Sequence, residues 1–324
     1  MQHRLTLKWL LSLSLGLAAA SLHAQQYPKG PIHLVVPFAA GSTPDLVARL
    51  VGERLGTRLG QPVVVDNKAG ASGNIGTTAV AKASPDGQTI GIGIAGTLAV
   101  NALLYKKMPY DPARDIELIT VAASQPAVLV TSSKFPANNV ADLLAQLKKS
   151  PGKYSFASIG AGSASHLAMQ ALGALTSANL VHVPYPGSGA AVTAIISGEV
   201  DMGVLPAATV MPFVKSGRVK ALAIASSKRS QFLPQLPTLA EVGAPEVQAD
   251  AWIGIVAPAK TPADIVTRLH TELVQILAEP AIQEKLRLQY MAPVANTPAE
   301  FRSMVNDEVA RWKPVIEKNN ITLD

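Results

Sequence analysis

A chain of 324 residues with 48% hydrophobic and 15% charged side chains has enough apolar material for two full domain cores, which excludes a disordered polymer. The formal charge of +6 comes from Lys and Arg scattered without a run, and aromatics make up 5%, so no nucleic-acid partner is expected. Cysteine is absent, which rules out disulfides, thiol nucleophiles and Cys-ligated metals and fits an oxidising compartment.

The chain opens with a basic head, His3, Arg4 and Lys8, followed by an apolar run from Trp9 to Ala20 and small residues leading to Ala24. The run is too short for a span of about 20 residues. It predicts a Sec-type export signal over residues 1–24, cut after Ala24, with a cut after Ala20 as the alternative because Leu22 is large for its place. Removing the signal leaves a charge of +4 and no later stretch of membrane length.

The first predicted element is a buried strand, Ile32 to Val36, ended by Pro37. A Gly-containing turn from Phe38 to Ser42 then opens a helix that runs to about Gly60, with Thr43 as N-cap, Pro44 in the first turn and Asp45 behind it. Leu46, Val47, Leu50, Val51, Leu55 and Leu59 share its apolar face. A strand feeding a helix through such a turn presents free N–H groups and the positive end of the helix dipole, a setting for a carboxylate or phosphate.

Pro62 to Asp66 is a second strand. The loop NKAGASGNIG, residues 67–76, has three glycines, lets backbone approach a neighbour closely, and ends with Asn74 as the predicted cap of the next helix. Thr89 to Ala95 is a third strand, with a helix beginning near Leu98. The formal match Gly91-x-Gly93-x-x-Gly96 is not a dinucleotide fingerprint, because its glycines lie inside the strand instead of after it.

Ile116 to Thr131, broken at Gln125 and Pro126, reads as two strands and a passage between domains. Val140 to Lys149 is a helix capped by Asn138 or Asn139. The strand, Gly/Ser turn and helix pattern then recurs: 153–158 leads through Gly160-Ala161-Gly162 to a helix capped by Ser163, 181–183 leads through PYPGSG to 190–197, and 200–204 leads through Pro206 to a helix ending near Ser216. Ala221 to Ala225 is a strand, and Ala251 to Ala257 is the return passage. Capping boxes are expected at Thr238 with Glu241, Thr261 with Asp264 and Thr297 with Glu300, the last two opening helices near 262–278 and 298–319, with a further helix at 280–289. Two passages imply two α/β lobes, 25–124 with 250–324 and 125–249, and a ligand cleft between them at the carboxyl ends of strands.

Motifs for catalysis are missing from the sequence: there is no Gly-x-Ser-x-Gly, His-Glu-x-x-His or Gly-Lys-Ser/Thr, and His33, His166, His182 and His270 lack metal-ligand spacing. No catalytic residue, cofactor or metal is expected. Between Asp142 and Glu199 no carboxylate occurs, so the Gly/Ser turns there offer N–H and hydroxyl donors without competing negative charge. That suits an anionic ligand. The alternative from another class is a secreted α/β hydrolase with Ser163 as nucleophile and His166 or His182 as base.

The segments PIHLVVPFAAGSTPD (31–45), QPVVVDNKAGASGNIG (61–76), LLYKKMPYDPARD (103–115), FASIGAGSASHLA (156–168), VHVPYPGSGAA (181–191), ALAIASSKRS and LPTLAEVG (within 221–243) together resemble the solute receptors of tripartite tricarboxylate transporters, the Bug family of periplasmic binding proteins. The resemblance implies a two-lobed, type II-like fold, a location in the periplasm, and a role as a monomer that passes a small carboxylate to membrane subunits. A ligand sensor built on the same fold is a further alternative. By the same resemblance the carboxylate is held at Phe38, Ala40, Gly41 and Ser42, with Asp45 supporting the turn, and at Gly162, Ser163, Ser165 and His166. Gly96, Thr97, Pro184 and Tyr185 are candidates for the distal part.

Departures from the family pattern fall at Ser42 and Pro44, at Pro186 where Lys is common, and at Leu205 and Pro206 in place of an Asp-Asn pair. They predict a ligand with one carboxylate and a hydrophobic or aromatic remainder.

Overall fold

The structure, a computed structural model, describes residues 27–323; the predicted export signal lies outside the described residues. Among the described residues no helix is long and apolar enough to cross a membrane.

The chain begins with β1 (Ile32–Val36), α1 (Thr43–Leu59), β2 (Val63–Asn67), α2 (Asn74–Ala81) and β3 (Thr89–Gly93). A wide π turn, Gly96–Val100, runs into α3 (Asn101–Leu104), and the short α4 (Pro112–Asp115) leads to β4 (Ile116–Gln125). The chain then alternates through β5 (Ala127–Ser132), α5 (Val140–Lys149), β6 (Ser155–Ser158), α6 (Ala164–Thr176), β7 (Val181–Pro184), α7 (Ser188–Ser197), β8 (Met202–Pro206), α8 (Ala207–Lys215) and β9 (Val219–Ile224). It closes with β10 (Ala251–Pro258), α9 (Ala263–Leu277), α10 (Pro280–Arg287), β11 (Ala292–Pro293) and α11 (Pro298–Lys318).

Two sheets result, ordered β11-β4-β10-β3-β1-β2 and β7-β6-β8-β5-β9. In the first, β1 pairs in parallel with β2 and β3, whereas β10 is antiparallel to both β3 and β4. In the second, β6 is parallel to β7 and β8, and β5 is antiparallel to β8 and β9. The inner strands β3, β4, β5, β8 and β10 are buried along nearly their whole length and read as near-continuous apolar runs, whereas the edge strands β2 and β7 are partly exposed.

Both passages between the lobes lie side by side. Gln125 and Ala251 are the last pair of the β4/β10 ladder. One residue beyond each, the chain enters the other sheet: Ala225 N–H donates to Ala127 O at 2.8 Å and Ala249 N–H to Ala225 O at 2.6 Å. Pro126 and Asp250 therefore lie side by side as the two links between the sheets. Pro126 has no N–H to extend a ladder there.

The C-terminal helix ties the lobes together. Its Phe301 packs edge-on against Trp252 of β10, with ring centroids 5.4 Å apart, whereas Trp312 and Ile316 join the second-lobe cluster around Leu129, Phe156 and Leu172. Glu308 sits between, accepting Trp252 Nε1–H at 3.4 Å and Trp312 Nε1–H at 2.7 Å, and burial raises its carboxyl pKa. Residues Ala99, Val100 and Leu104 join the same cluster as Trp312, so the two lobes share part of one core.

Several local expectations change. The N-cap of α1 is Ser42, not Thr43, and Asn74 is the first helical residue of α2 instead of its cap. Thr261 forms no capping box because its hydroxyl donates to Pro258 O at 2.7 Å, leaving Pro262 at the cap. Leu46, assigned to the buried face of α1, is 36% exposed. The boxes at Thr238 with Glu241 and Thr297 with Glu300 are formed, although the first caps only the short turn Ala240–Val242.

Gly254 shows how closely α11 is seated, since a Cβ there would overlap the Phe301 ring. Gly254→Ala is expected to destabilise the protein by about 1–3 kcal/mol, as overpacking of a core does. Urea unfolding measures it, and a midpoint equal to the wild type would mean that the ring yields freely.

Candidate functional site

The turn after β1 is built on one carboxylate. Gly41, at φ 79°, donates its N–H to Asp45 Oδ2 at 2.8 Å, Arg49 Nε donates to the same oxygen at 3.1 Å, and Asn67 Nδ2 donates to Oδ1 at 3.0 Å. Asn67 Nδ2 also reaches Phe38 O at 3.0 Å, so the edge strand β2 clamps the turn. Burial alone would raise the Asp45 pKa, but Arg49, the Gly41 N–H and Asn67 outweigh it and hold the carboxyl below its usual range. Both Asp45 oxygens are engaged within the protein.

What the turn leaves open is the start of α1. Ser42 has the extended backbone of an N-cap, φ −70° and ψ 161°, yet its side chain makes no capping bond and its buried hydroxyl has no protein partner. First-turn amides without a side-chain cap are the donors that a bound anion satisfies.

The turn after β6 repeats the design with a different group. Gly162, at φ 77°, donates its N–H to His166 Nδ1 at 3.1 Å, four residues on, as Gly41 does to Asp45. Ser163 does cap α6: its hydroxyl accepts His166 N–H at 3.2 Å and donates to Gly160 O at 2.7 Å. Ser165, in the first turn of α6, is 4% exposed and its hydroxyl has no protein partner. Among the described residues three buried side-chain polar atoms lack a partner, and two of them, Ser42 Oγ and Ser165 Oγ, stand at these two helix openings.

His166 accepts at Nδ1, which fixes the neutral tautomer with the proton on Nε2. Its ring stacks on His182 at 3.8 Å between centroids and 14° between planes, and His182 stacks in turn on Phe156 at 4.9 Å. Burial, with His182 alongside, pushes the His166 pKa down to about 3, and burial pushes that of His182 down to about 4. His182 Nε2 bonds Ser158 Oγ at 2.7 Å, and Ser158 is fully buried. Ser163 therefore faces Gly160 O, and neither histidine ring nitrogen takes its proton.

The other sequence-derived residues fall into two groups. Phe38 and Thr97 converge on Gly73, which was not among them: a Cβ on Gly73 would lie 2.6 Å from Thr97 Cγ2 and 3.1 Å from Phe38 Cζ. Gly96 and Thr97 are buried, and the Thr97 hydroxyl bonds the N–H and carbonyl of Ile94 at 3.2 and 3.3 Å. Ala40 is exposed on the first turn. In the second lobe, Pro184 is exposed at the end of β7, and the Tyr185 hydroxyl donates to Glu199 Oε1 at 2.9 Å. Leu205 is fully buried among Val128, Ile195 and Val210.

Sequence reasoning passed over Asn67, Ser72 and Asn101, and gave Asn74 only the role of a helix cap. Asn101 Nδ2 donates to Asn74 Oδ1 at 2.7 Å and to Ser72 O at 3.1 Å, and Ser72 Oγ donates to Ala161 O of the second-lobe turn at 3.3 Å. The glycine cluster of residues 67–76 was the available signal, because it announced a close backbone approach without naming the neighbour.

Residues 47–321 match the model of a family described as the tripartite tricarboxylate transporter family receptor. The chain is similar to Protein BugT of Bordetella pertussis, with 37% identity over 306 residues that cover 94% of each chain. Among solved structures it is similar to R. palustris Rpa4515 with adipate, at 34% identity and a TM-score of 0.85, covering 91% of this chain and 99% of that one. It is likewise similar to the periplasmic binding protein BugD, at 36% identity and a TM-score of 0.82, covering 91% and 99%. With its two sheets, its paired Gly/Ser helix openings and these relatives along nearly its whole length, the chain belongs to the receptor family of the tripartite tricarboxylate transporters.

Proposed function

We propose that the protein is a periplasmic, non-catalytic receptor that holds a small organic acid by one carboxylate between the openings of α1 and α6. It then passes the acid, as a monomer, to the membrane subunits of a tripartite transporter. The observation that carries this reading is the pair of unpartnered buried hydroxyls, Ser42 Oγ and Ser165 Oγ, one in each lobe. A buried hydroxyl without a partner costs free energy that a bound carboxylate oxygen would offset. The proposed lobes are 25–124 with 250–324 and 125–249, meeting at Pro126 and Asp250. Rpa4515, with its adipate, supports a carboxylate as the ligand class.

The binding chemistry uses uncharged donors. No Lys or Arg occurs between Lys153 and Lys215, and no Asp or Glu between Asp142 and Glu199. A second carboxylate on the ligand would meet no cation from this stretch of the second lobe. With Pro186 adding no charge, one carboxylate and an apolar or aromatic remainder suit the site. Two donors from each lobe, at roughly 1.5–3 kcal/mol per charge-assisted bond, contribute about 6–12 kcal/mol against an association cost of about 4–15. The remainder of the ligand must therefore contribute affinity as well as selectivity. Turnover finds little support in the geometry, since Ser163 is spent on capping and the nearest Ser–His contact involves the buried Ser158.

Calorimetric titration with hexanoate, benzoate, adipate, citrate and aspartate tests the ligand class. Hexanoate or benzoate is expected to bind more tightly than citrate or aspartate. Tight binding of citrate or aspartate with no response to the two monocarboxylates would overturn the reading, as would hydrolysis of p-nitrophenyl esters by purified protein.

Ser42→Ala and Ser165→Ala should each weaken the preferred acid by roughly 10- to 150-fold, the range for a hydrogen bond to a charged group. Equal affinity in both variants would remove the two hydroxyls from the site.

The second-lobe turn also makes a pH prediction. The folded state favours neutral His166 and His182, whose pKa values fall from 6.5 to about 3 and about 4, so their stabilisation is complete above 6.5 and is lost progressively as pH falls toward those values. In ligand-free urea unfolding, the His166→Gln variant should lose less stability than the wild type between pH 7 and about 4.5. Parallel profiles would mean that His166 titrates freely in the folded protein.

A further inference from the structure

Ser72 lies in the first lobe, in the short turn Ala71–Gly73 between β2 and α2, and its backbone is unusual. Ala71 and Ser72 both have positive φ, 47° and 53°, and they are flanked by Gly70 at 128° and Gly73 at 90°. Four consecutive residues on the left-handed side of φ space cost free energy at the two that carry a Cβ, and a surrounding structure must hold them. Asn101 Nδ2 holds the Ser72 carbonyl at 3.1 Å, and Tyr105 OH donates to Ser72 Oγ at 3.2 Å. The hydroxyl, its lone pair taken by Tyr105, is left with its proton to give, and it gives it across the cleft to Ala161 O at 3.3 Å.

Ala161 is the middle of the Gly160-Ala161-Gly162 turn, the same turn whose Gly162 N–H is held by His166 and which opens α6. First-lobe groups grip this turn at a second point. A Cβ on Gly162 would lie 2.5 Å from Leu104 Cδ1 of α3 and 2.8 Å from Leu323 Cδ1, and Leu323 N–H bonds Leu104 O at 3.1 Å.

We propose that Ser72 is a positioning residue: its hydroxyl, oriented by Tyr105, clasps the second-lobe turn through Ala161 O and so favours the closed arrangement in which both helix openings face the same ligand. The inference deepens and rests on the receptor reading above. The strained loop backbone brings the hydroxyl to that carbonyl, and the clasp forms only when the lobes approach.

The test uses the absence of cysteine, which makes labelling unambiguous. Spin labels are attached through Glu53→Cys on α1 and Thr193→Cys on α7, both exposed positions in opposite lobes. Inter-label distance distributions are then recorded for the full mature chain without ligand and with hexanoate. Ser72→Ala removes the hydroxyl and keeps the strained backbone, whereas Ser72→Gly removes the hydroxyl and relieves the strain.

Both variants are expected to lower the closed-to-open ratio by roughly 2- to 12-fold, the range for one neutral hydrogen bond, with Tyr105→Phe shifting it in the same direction. An unchanged distribution in Ser72→Ala would overturn the proposal. So would a wild-type distribution restored in Ser72→Gly, since backbone strain and not the hydroxyl would then set the equilibrium. The label distances without ligand report on the clasp alone, and calorimetry with hexanoate and benzoate reports on the receptor reading, so failure of one is distinguished from failure of the other.

Discussion

Everything at the cleft depends on a hydrogen bond made twice: a turn glycine in the left-handed region gives its N–H to a side chain four residues into the following helix. In the first lobe the acceptor is Asp45, in the second it is His166. Each bond folds the turn back over the helix start and keeps the acceptor inside the protein, so the first-turn amides and a serine hydroxyl remain for something else. A side chain at Gly41 or Gly162 would be strained by the positive φ alone.

The two acceptors differ in charge, and their surroundings compensate accordingly. Asp45 is an anion close to the uncapped start of α1, the proposed carboxylate site, and it is tolerated because Arg49 and Asn67 occupy its oxygens. His166 needs no counter-charge because burial and stacking on His182 keep it neutral. A protonated ring would lose the lone pair that accepts from Gly162 and would place a cation at the positive end of α6. The Phe156–His182–His166 stack thus serves as a floor for the turn.

Closure is constrained from the opposite end of the molecule. Two strands link the sheets through Pro126 and Asp250, the proposed hinge, and α11 packs on both lobes through Phe301 on one side and Trp312 on the other. Leu104 and Trp312 belong to one buried cluster that both lobes share, and polar contacts join the lobes beside it. The Ser72 to Ala161 bond is such a contact.

Local chemistry was legible in the sequence, and long-range partnership was not. The spans of β1 and α5, the caps at Ser163 and Thr297, and the two-passage topology follow from patterns within a few residues, since apolar periodicity and an i to i+3 cap need no distant partner, whereas the structure chose Asn139 over Asn138 as the cap of α5. The same local rules misplaced the cap of α1 at Thr43 and expected a box at Thr261, where the hydroxyl instead reaches back to Pro258 O. Periodicity gave Leu205 no orientation, and the tertiary structure decided it by packing the side chain into the second-lobe core. The predicted export signal, the strand-to-helix turns and the carboxylate-free stretch between Asp142 and Glu199 were the sequence's own contribution. Which hydroxyls are left without a partner, and which carbonyl Ser72 reaches 89 residues away, only the tertiary structure could decide, because both depend on groups that chain folding brings together from distant segments.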